Sequence, residues 1–199
     1  MKYFYLSLIS LFLMSCNGSS SSGEAPDINL DGFTYTNISG SDSKAAVKMD
    51  ASGNISEQGH VTNGAKDGLW MTYHPNGRIK TLTSYVNNTL EGVHLEFTNR
   101  GQIEAKVHYS NNQYNGAFVK YKFGRPLEES NYKMGKLDGV SKSYYNNGKI
   151  QKEIEFKDGI QDGVYKFYDD QGNTTLEYTY KNGEKISGGI VEGEASGDQ

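Results

Sequence analysis

A single cysteine, three prolines and one tryptophan are spread over 199 residues, and each scarcity removes a class of architecture. One cysteine, Cys16, has no partner for an internal disulfide and no companion thiolate for a structural zinc site. Three prolines rule out a proline-rich stalk. Lys and Arg total 20 against 24 Asp and Glu, a formal charge of -4, so the chain lacks the broad positive field that a nucleic-acid backbone requires. Amphipathic helical periodicity is also missing, which argues against a thick helical core. What is abundant is glycine, with 24 residues, and tyrosine, with 15. That combination points to many turns joined by strands with aromatic cross-strand contacts.

The N-terminus has a positive residue, Lys2, followed by an apolar run from Tyr3 to Met14. Such a run is too short for a permanent membrane helix and reads as an export signal over residues 1–15. Cys16 stands where the run ends, after Leu13-Met14-Ser15, a spacing that resembles the bacterial lipoprotein box. The resemblance implies cleavage before Cys16 and a diacylglycerol thioether on its sulfur, with the membrane as a partner through that lipid. Residues 16–28, rich in Ser and Gly, read as a tether. Asn17 is not acidic, which in the familiar sorting pattern favours the outer membrane of the cell envelope.

From residue 59 onward the chain repeats. Gly68, Gly92, Gly116, Gly139 and Gly163 recur about every 24 residues, and Gly77, Gly101, Gly124, Gly148 and Gly172 follow them in step. An aromatic column, Tyr85, Tyr109, Tyr132, Phe156 and Tyr180, keeps the same register. Another, Tyr73, Phe97, Tyr121, Tyr144 and Tyr168, lies five residues after each first-series glycine. Four columns in register over five units define a repeat array. Each unit contains two strand-like stretches around a break such as His74-Pro75-Asn76-Gly77, and a second turn links units at Asn63-Gly64, Asn87-Asn88, Asn111-Asn112, Met134-Gly135 and Asp158-Gly159. These are hairpin signals, because Asn and Gly take positive φ cheaply. Strands such as Ile103 to Tyr109 alternate apolar and polar residues, so one face stays open to water.

The expected fold is therefore all-β, an elongated single-layer antiparallel sheet of tandem hairpins. Residues 29–58 form a degenerate β cap, 59–187 the array, and 188–199 a flexible acidic tail. Each hairpin advances the stack by about 9.5 Å.

The residues Asp67-Gly68-Leu69-Trp70, Tyr73-His74-Pro75-Asn76-Gly77 and Tyr144-Tyr145-Asn146-Asn147-Gly148 resemble the MORN-repeat variant of bacterial YwqK-type antitoxin-like proteins. The resemblance covers roughly residues 45 to 187. It implies a module that contacts proteins or lipids. The pattern departs at His94 and Ser141, which stand where the first unit has Trp70, and at Gly124-Arg125-Pro126, where the third hairpin is shortened.

Candidate chemistry is sparse. Asp67, Glu91, Asn115, Asp138 and Asp162 precede the first-series glycines, but a column repeating along an edge does not converge on one substrate, and these side chains are expected to support their own turns. His60, His74, His94 and His108 show no metal-ligand spacing. The expectation is no catalytic residue, no metal and no cofactor, in a monomer. Trp70, Phe118, Tyr165 and Phe167 have the opposite strand parity from Tyr73, Tyr121 and Tyr168. Twist that packs both faces accounts for them, and so does an exposed aromatic strip that recognises a protein or a glycan. Three functions follow: an interaction scaffold of the envelope, an immunity or antitoxin-like inhibitor, and an envelope enzyme.

Overall fold

A computed structural model describes residues 30–191, and the expected signal, the tether and Cys16 lie outside them. Fifteen strands form one antiparallel sheet in which almost every strand pairs with its neighbours in sequence. The first three are β1 (Phe33–Asn37), β2 (Ser43–Met49) and β3 (Ile55–Thr62). The array continues as β4 (Ala65–Tyr73), β5 (Ile79–Val86), β6 (Thr89–Phe97), β7 (Ile103–Ser110), β8 (Gln113–Lys122) and β9 (Arg125–Lys133). A short β10 (Lys136–Leu137) and β11 (Gly139–Tyr144) share the next place, followed by β12 (Ile150–Lys157), β13 (Ile160–Tyr168), β14 (Thr174–Lys181) and β15 (Glu184–Ile190).

The expected all-β sheet of tandem hairpins is what forms, with a difference at its C-terminal end. Residues 29–58, expected as a degenerate β cap, hold β1, β2 and β3, which continue the same sheet in register, Tyr35 opposite Ala46 and Ala46 opposite Gly59. At the other end β15 runs to Ile190, three residues past the expected boundary at 187, because Leu176 still has a partner in Ile190.

Every linking turn uses the residues singled out for it. Asn63, Asn87, Asn88, Asn111, Asn112, Met134 and Asp158 all have φ between 48° and 67°, and the glycines that follow three of them are also positive. Two consecutive positive φ values make the tight turn whose twist matches that of paired strands. Met134 and Asp158 occupy that region without a glycine's freedom, a local cost that the surrounding ladder must offset.

A sheet this thin has little core, so its order depends on both edges. Along the linking edge each turn from Asn87-Asn88 onward donates a backbone bond to the preceding unit: Asn88 N to Lys66 O (2.9 Å), Asn112 N to Leu90 O (3.1 Å), Gly135 N to Tyr114 O (2.8 Å), Gly159 N to Leu137 O (2.7 Å) and Gly183 N to Gln161 O (2.9 Å). Four of the five residues before the first-series glycines join this edge. Asp162 accepts from Asn182 N (3.0 Å) and Glu91 from Asn111 N (2.8 Å), while Asn115 and Asp138 reach Met134 N and Asp158 N at 3.4 Å. They support the next unit's turn, where the spacing suggested their own, because the strand spacing brings that turn alongside.

The hairpin tips repeat the device on the opposite edge. Asn76 donates to Asn99 O (2.8 Å) and Asn147 to Asp170 O (3.1 Å), while Lys149 reaches Gln171 O (2.8 Å). The shortened third tip, Phe123-Gly124, turns in two residues with φ of 53° and 77°.

Candidate functional site

The registers define two faces. One row of the first face runs from Trp70 through Thr83, His94, Val107 and Phe118 to Ser130, and resumes through Ser141, Ile154, Tyr165 and Tyr178. Tyr85, Tyr109, Tyr132, Phe156 and Tyr180 stand beside this row, opposite Gly68, Gly92, Gly116, Gly139 and Gly163. The aromatic ladder and the suggested recognition strip are therefore on one face. Strand parity separated the strip from Tyr73 and Tyr168 correctly, but only the register shows that it shares a surface with the Tyr85 column.

Trp70 corrects the strip. It is 2% exposed and packs edge-on against Phe33 at 5.6 Å and Tyr85 at 6.5 Å between ring centroids. Its indole N–H donates to His60 O (3.0 Å). The ring lies directly over Gly59, where a Cβ atom would collide with it. Lys66 is also buried, its ammonium 4.0 Å from the centre of the Trp70 ring and 2.6 Å from Glu57 Oε1. Ion pair and cation–π contact together offset the cost of taking that charge out of water. Trp70 is thus a core residue, closed over by β1, and is not free to meet a partner. Burial pushes the Tyr85 phenol up, and the Glu57 charge adds to this.

Phe118, Tyr165 and Phe167 are half-buried. Phe118 belongs to a cluster in which Tyr114 stacks on it at 6.1 Å and Tyr132 meets it edge-on at 6.3 Å. Tyr109 joins through Tyr114 at 5.0 Å, and burial followed by the Tyr114 hydrogen bond raises its pKa strongly. Tyr165 lies 6.0 Å from Tyr178, and Phe167 sits opposite Leu176. Between the two clusters the aromatic row is interrupted at Ser141. Among the described residues Ser141 Oγ, Ser143 Oγ and Gln161 Nε2 are buried without a hydrogen-bond partner.

The second face carries a row that sequence reasoning missed. It crosses the sheet unbroken: Val47, Gln58, Met71, Leu82, Leu95, Lys106, Val119, Glu129, Lys142, Glu153, Lys166 and Glu177. It is apolar or amide as far as Leu95, passes through Lys106 and Val119, and then alternates in sign from Glu129 to Glu177. Lys142 pairs with Glu153 at 3.2 Å and Lys166 with Glu177 at 3.4 Å. Tyr144 donates to Glu129 (2.8 Å) and Tyr168 to Glu153 (2.7 Å). Burial, then these bonds and the carboxylate charges, push both phenols up to about 12. Burial opposes ionisation of Glu153, yet the bonds from Tyr168 and Lys142 hold its pKa below the usual value. The signal for this row is present in the sequence, since Glu129, Glu153 and Glu177 fall 24 residues apart, as do Lys142 and Lys166. Glu129, Lys142, Glu153 and Lys166 line a groove of about 560 Å³ together with Glu155, Val119, Val140 and Val164.

The fold and its two edge ladders define a tandem β-hairpin repeat protein. Residues 66–87, 90–111, 137–158 and 161–182 match the MORN repeat variant, so the chain carries four repeats of that type. Residues 112–136 hold the unit with the shortened tip, and they keep the same strand pairing outside the matched segments. Such repeats suggest a binding or scaffold role. No curated protein matches the chain. Two solved structures resemble part of it, each with a TM-score of 0.35 over 55% of this chain. One is a mutant of S. aureus TarM in complex with fondaparinux, alpha-GlcNAc-glycerol and UDP, 11% identical, and the other is TarM, 12% identical. The chain spans about a fifth of their length, 21% in each case. Among the described residues no helix is long and apolar enough to cross a membrane.

Proposed function

We propose that the chain is a non-enzymatic interaction scaffold of the bacterial cell envelope, lipid-anchored through Cys16, with a protein or glycan as its partner. The observation that carries this reading is the double edge ladder, in which turns and tips bind the next unit at a fixed offset of 19 to 23 residues. It fixes successive hairpins relative to one another and makes one extended surface from many weakly buried units. Side chains on that surface repeat along the stacking axis, an arrangement suited to contact over a length. Chemistry on a single bond instead needs groups that converge on it.

On the first face, Phe118, Tyr165 and Phe167 remain as candidate contacts, with Trp70 withdrawn into the core. The Leu13-Met14-Ser15-Cys16 sequence supports the anchor. Crosslinking of the intact chain in native membranes, followed by mass spectrometry, tests both parts. The expected result is a mature N-terminus at Cys16 carrying lipid and a specific crosslinked partner. An unmodified Cys16 in an extracted chain that begins elsewhere overturns the anchor, and the absence of any specific crosslink overturns the scaffold. A stoichiometric toxic protein among the crosslinks would identify the inhibitor variant of the same reading.

A further inference from the structure

The second-face row changes character halfway along the array while the hairpins do not. Met71, Leu82 and Leu95 occupy in the first half the places that Glu129, Lys142, Glu153, Lys166 and Glu177 hold in the second. Both halves form the same paired strands, so folding does not require the charges. Four of these five rungs, Glu129, Lys142, Glu153 and Lys166, line a groove of about 560 Å³ together with Glu155, so that three Glu and two Lys give it a net of -1. That volume is within the range of roughly 300–1,000 Å³ typical of ligand sites.

From this we propose that the groove across β8 to β13 binds a neutral polyhydroxylated chain, a glycan laid along the stacking axis. The inference rests on the scaffold reading above and names its ligand class. Three features carry it. The charges already satisfy one another: Glu153 is held by Lys142 on one oxygen and by Tyr168 on the other, and Lys166 is paired with Glu177. A charged side chain from a protein partner would have to displace one of these internal partners, and its desolvation would offset most of the exchange. A hydroxyl accepts from an ammonium and donates to a carboxylate at once, so sugar hydroxyls add to the ladder without dismantling it. Val119, Val140 and Val164 supply apolar strips between the polar rungs, which suit the C–H surfaces of a sugar ring. Rungs of one sign also recur every second strand, about 9.6 Å apart, so a regular polymer meets the same chemistry repeatedly, as a folded protein surface does not.

The test is calorimetric titration of the full chain, purified in detergent, with cellohexaose, maltohexaose and hexa-N-acetylchitohexaose at low and high salt. At least one should bind with little salt dependence. Lys142→Ala and Lys166→Ala should each weaken it about tenfold, while Leu69→Ala, on the same face in the first half, leaves it unchanged. Acetylation footprinting of the parent chain, with and without the sugar, gives a readout that needs no variant: Lys142 and Lys166 should be protected and Lys80 should not. The proposal is overturned if none of the three sugars binds, if binding survives both lysine substitutions, or if the sugar leaves both lysines equally reactive. A specific protein crosslink in native membranes together with no sugar binding would discard the glycan and leave the scaffold standing.

Discussion

The two halves of the array use one hairpin to different ends. In the first, Trp70 has a glycine beneath it, β1 above it and a buried lysine beside it, and most of the buried apolar residues, Ala46, Val61, Ala65, Trp70 and Leu90, lie there. In the second, Ser141 replaces the tryptophan, Tyr165 and Phe167 are half-buried, and the opposite face carries charge in place of Met and Leu. The difference shows that the edge ladders tolerate a weak core. Once turns and tips are bonded unit to unit, the rows between them are free to diverge. The stable half can act as a foundation and the polar half as a display.

The comparison breaks most readily at the tryptophan. Trp70→Ala should cost about 3–5 kcal/mol, whereas Tyr165→Ala, at the equivalent and only half-buried position, should cost distinctly less. Chemical denaturation midpoints measure this, and equal losses would mean that the halves do not differ in packing. A smaller effect is expected at Gly59. Gly59→Ala inserts a methyl into the Trp70 ring and should cost about 1–3 kcal/mol, while Gly189→Ala, with open space around it, should change little. If the two variants melt together, the close approach of the ring over β3 is not a constraint on folding.

In the charged half Tyr168→Phe should cost about 1 kcal/mol by removing a bond to an ionised carboxylate. The pH dependence has a definite sign. The Tyr144 and Tyr168 phenols are raised in the folded state to about 12, so their contribution is full below their ordinary value of 10 and is lost as pH rises toward 12. Glu153 is lowered, so its contribution is present above the ordinary 4.5 and is lost as pH falls through its folded value. Unfolding midpoints at alkaline pH should therefore fall less in the Tyr144→Phe, Tyr168→Phe double variant than in the parent. An unchanged alkaline profile would show that the ladder is not formed in solution. The smallest effect is expected at Ser141→Ala. Removing a buried hydroxyl without a partner should leave stability level or raise it by less than about 1 kcal/mol, and a clear loss would reveal a bond from Ser141 that matters.

Much of this architecture is legible in the order of the residues. Hairpin number, turn positions and the all-β class follow from glycine and asparagine spacing, since those residues mark where the backbone needs positive φ whatever surrounds it. The charged row is equally periodic, but its residues lie on different strands of successive hairpins. Without the bulges that set the register, nothing indicates that Lys142 faces Glu153 across one strand gap and Glu129 across the other.

Local chemistry by itself therefore determined the repeat, because a turn is decided within four residues. The tertiary structure decided which periodic side chains share a face, that Trp70 is covered by β1, and that an acidic residue supports the turn of the next unit. Those outcomes depend on how strands some twenty residues apart lie against each other. Strand register is set by the whole ladder, and a one-residue shift would send every side chain of a strand to the other face.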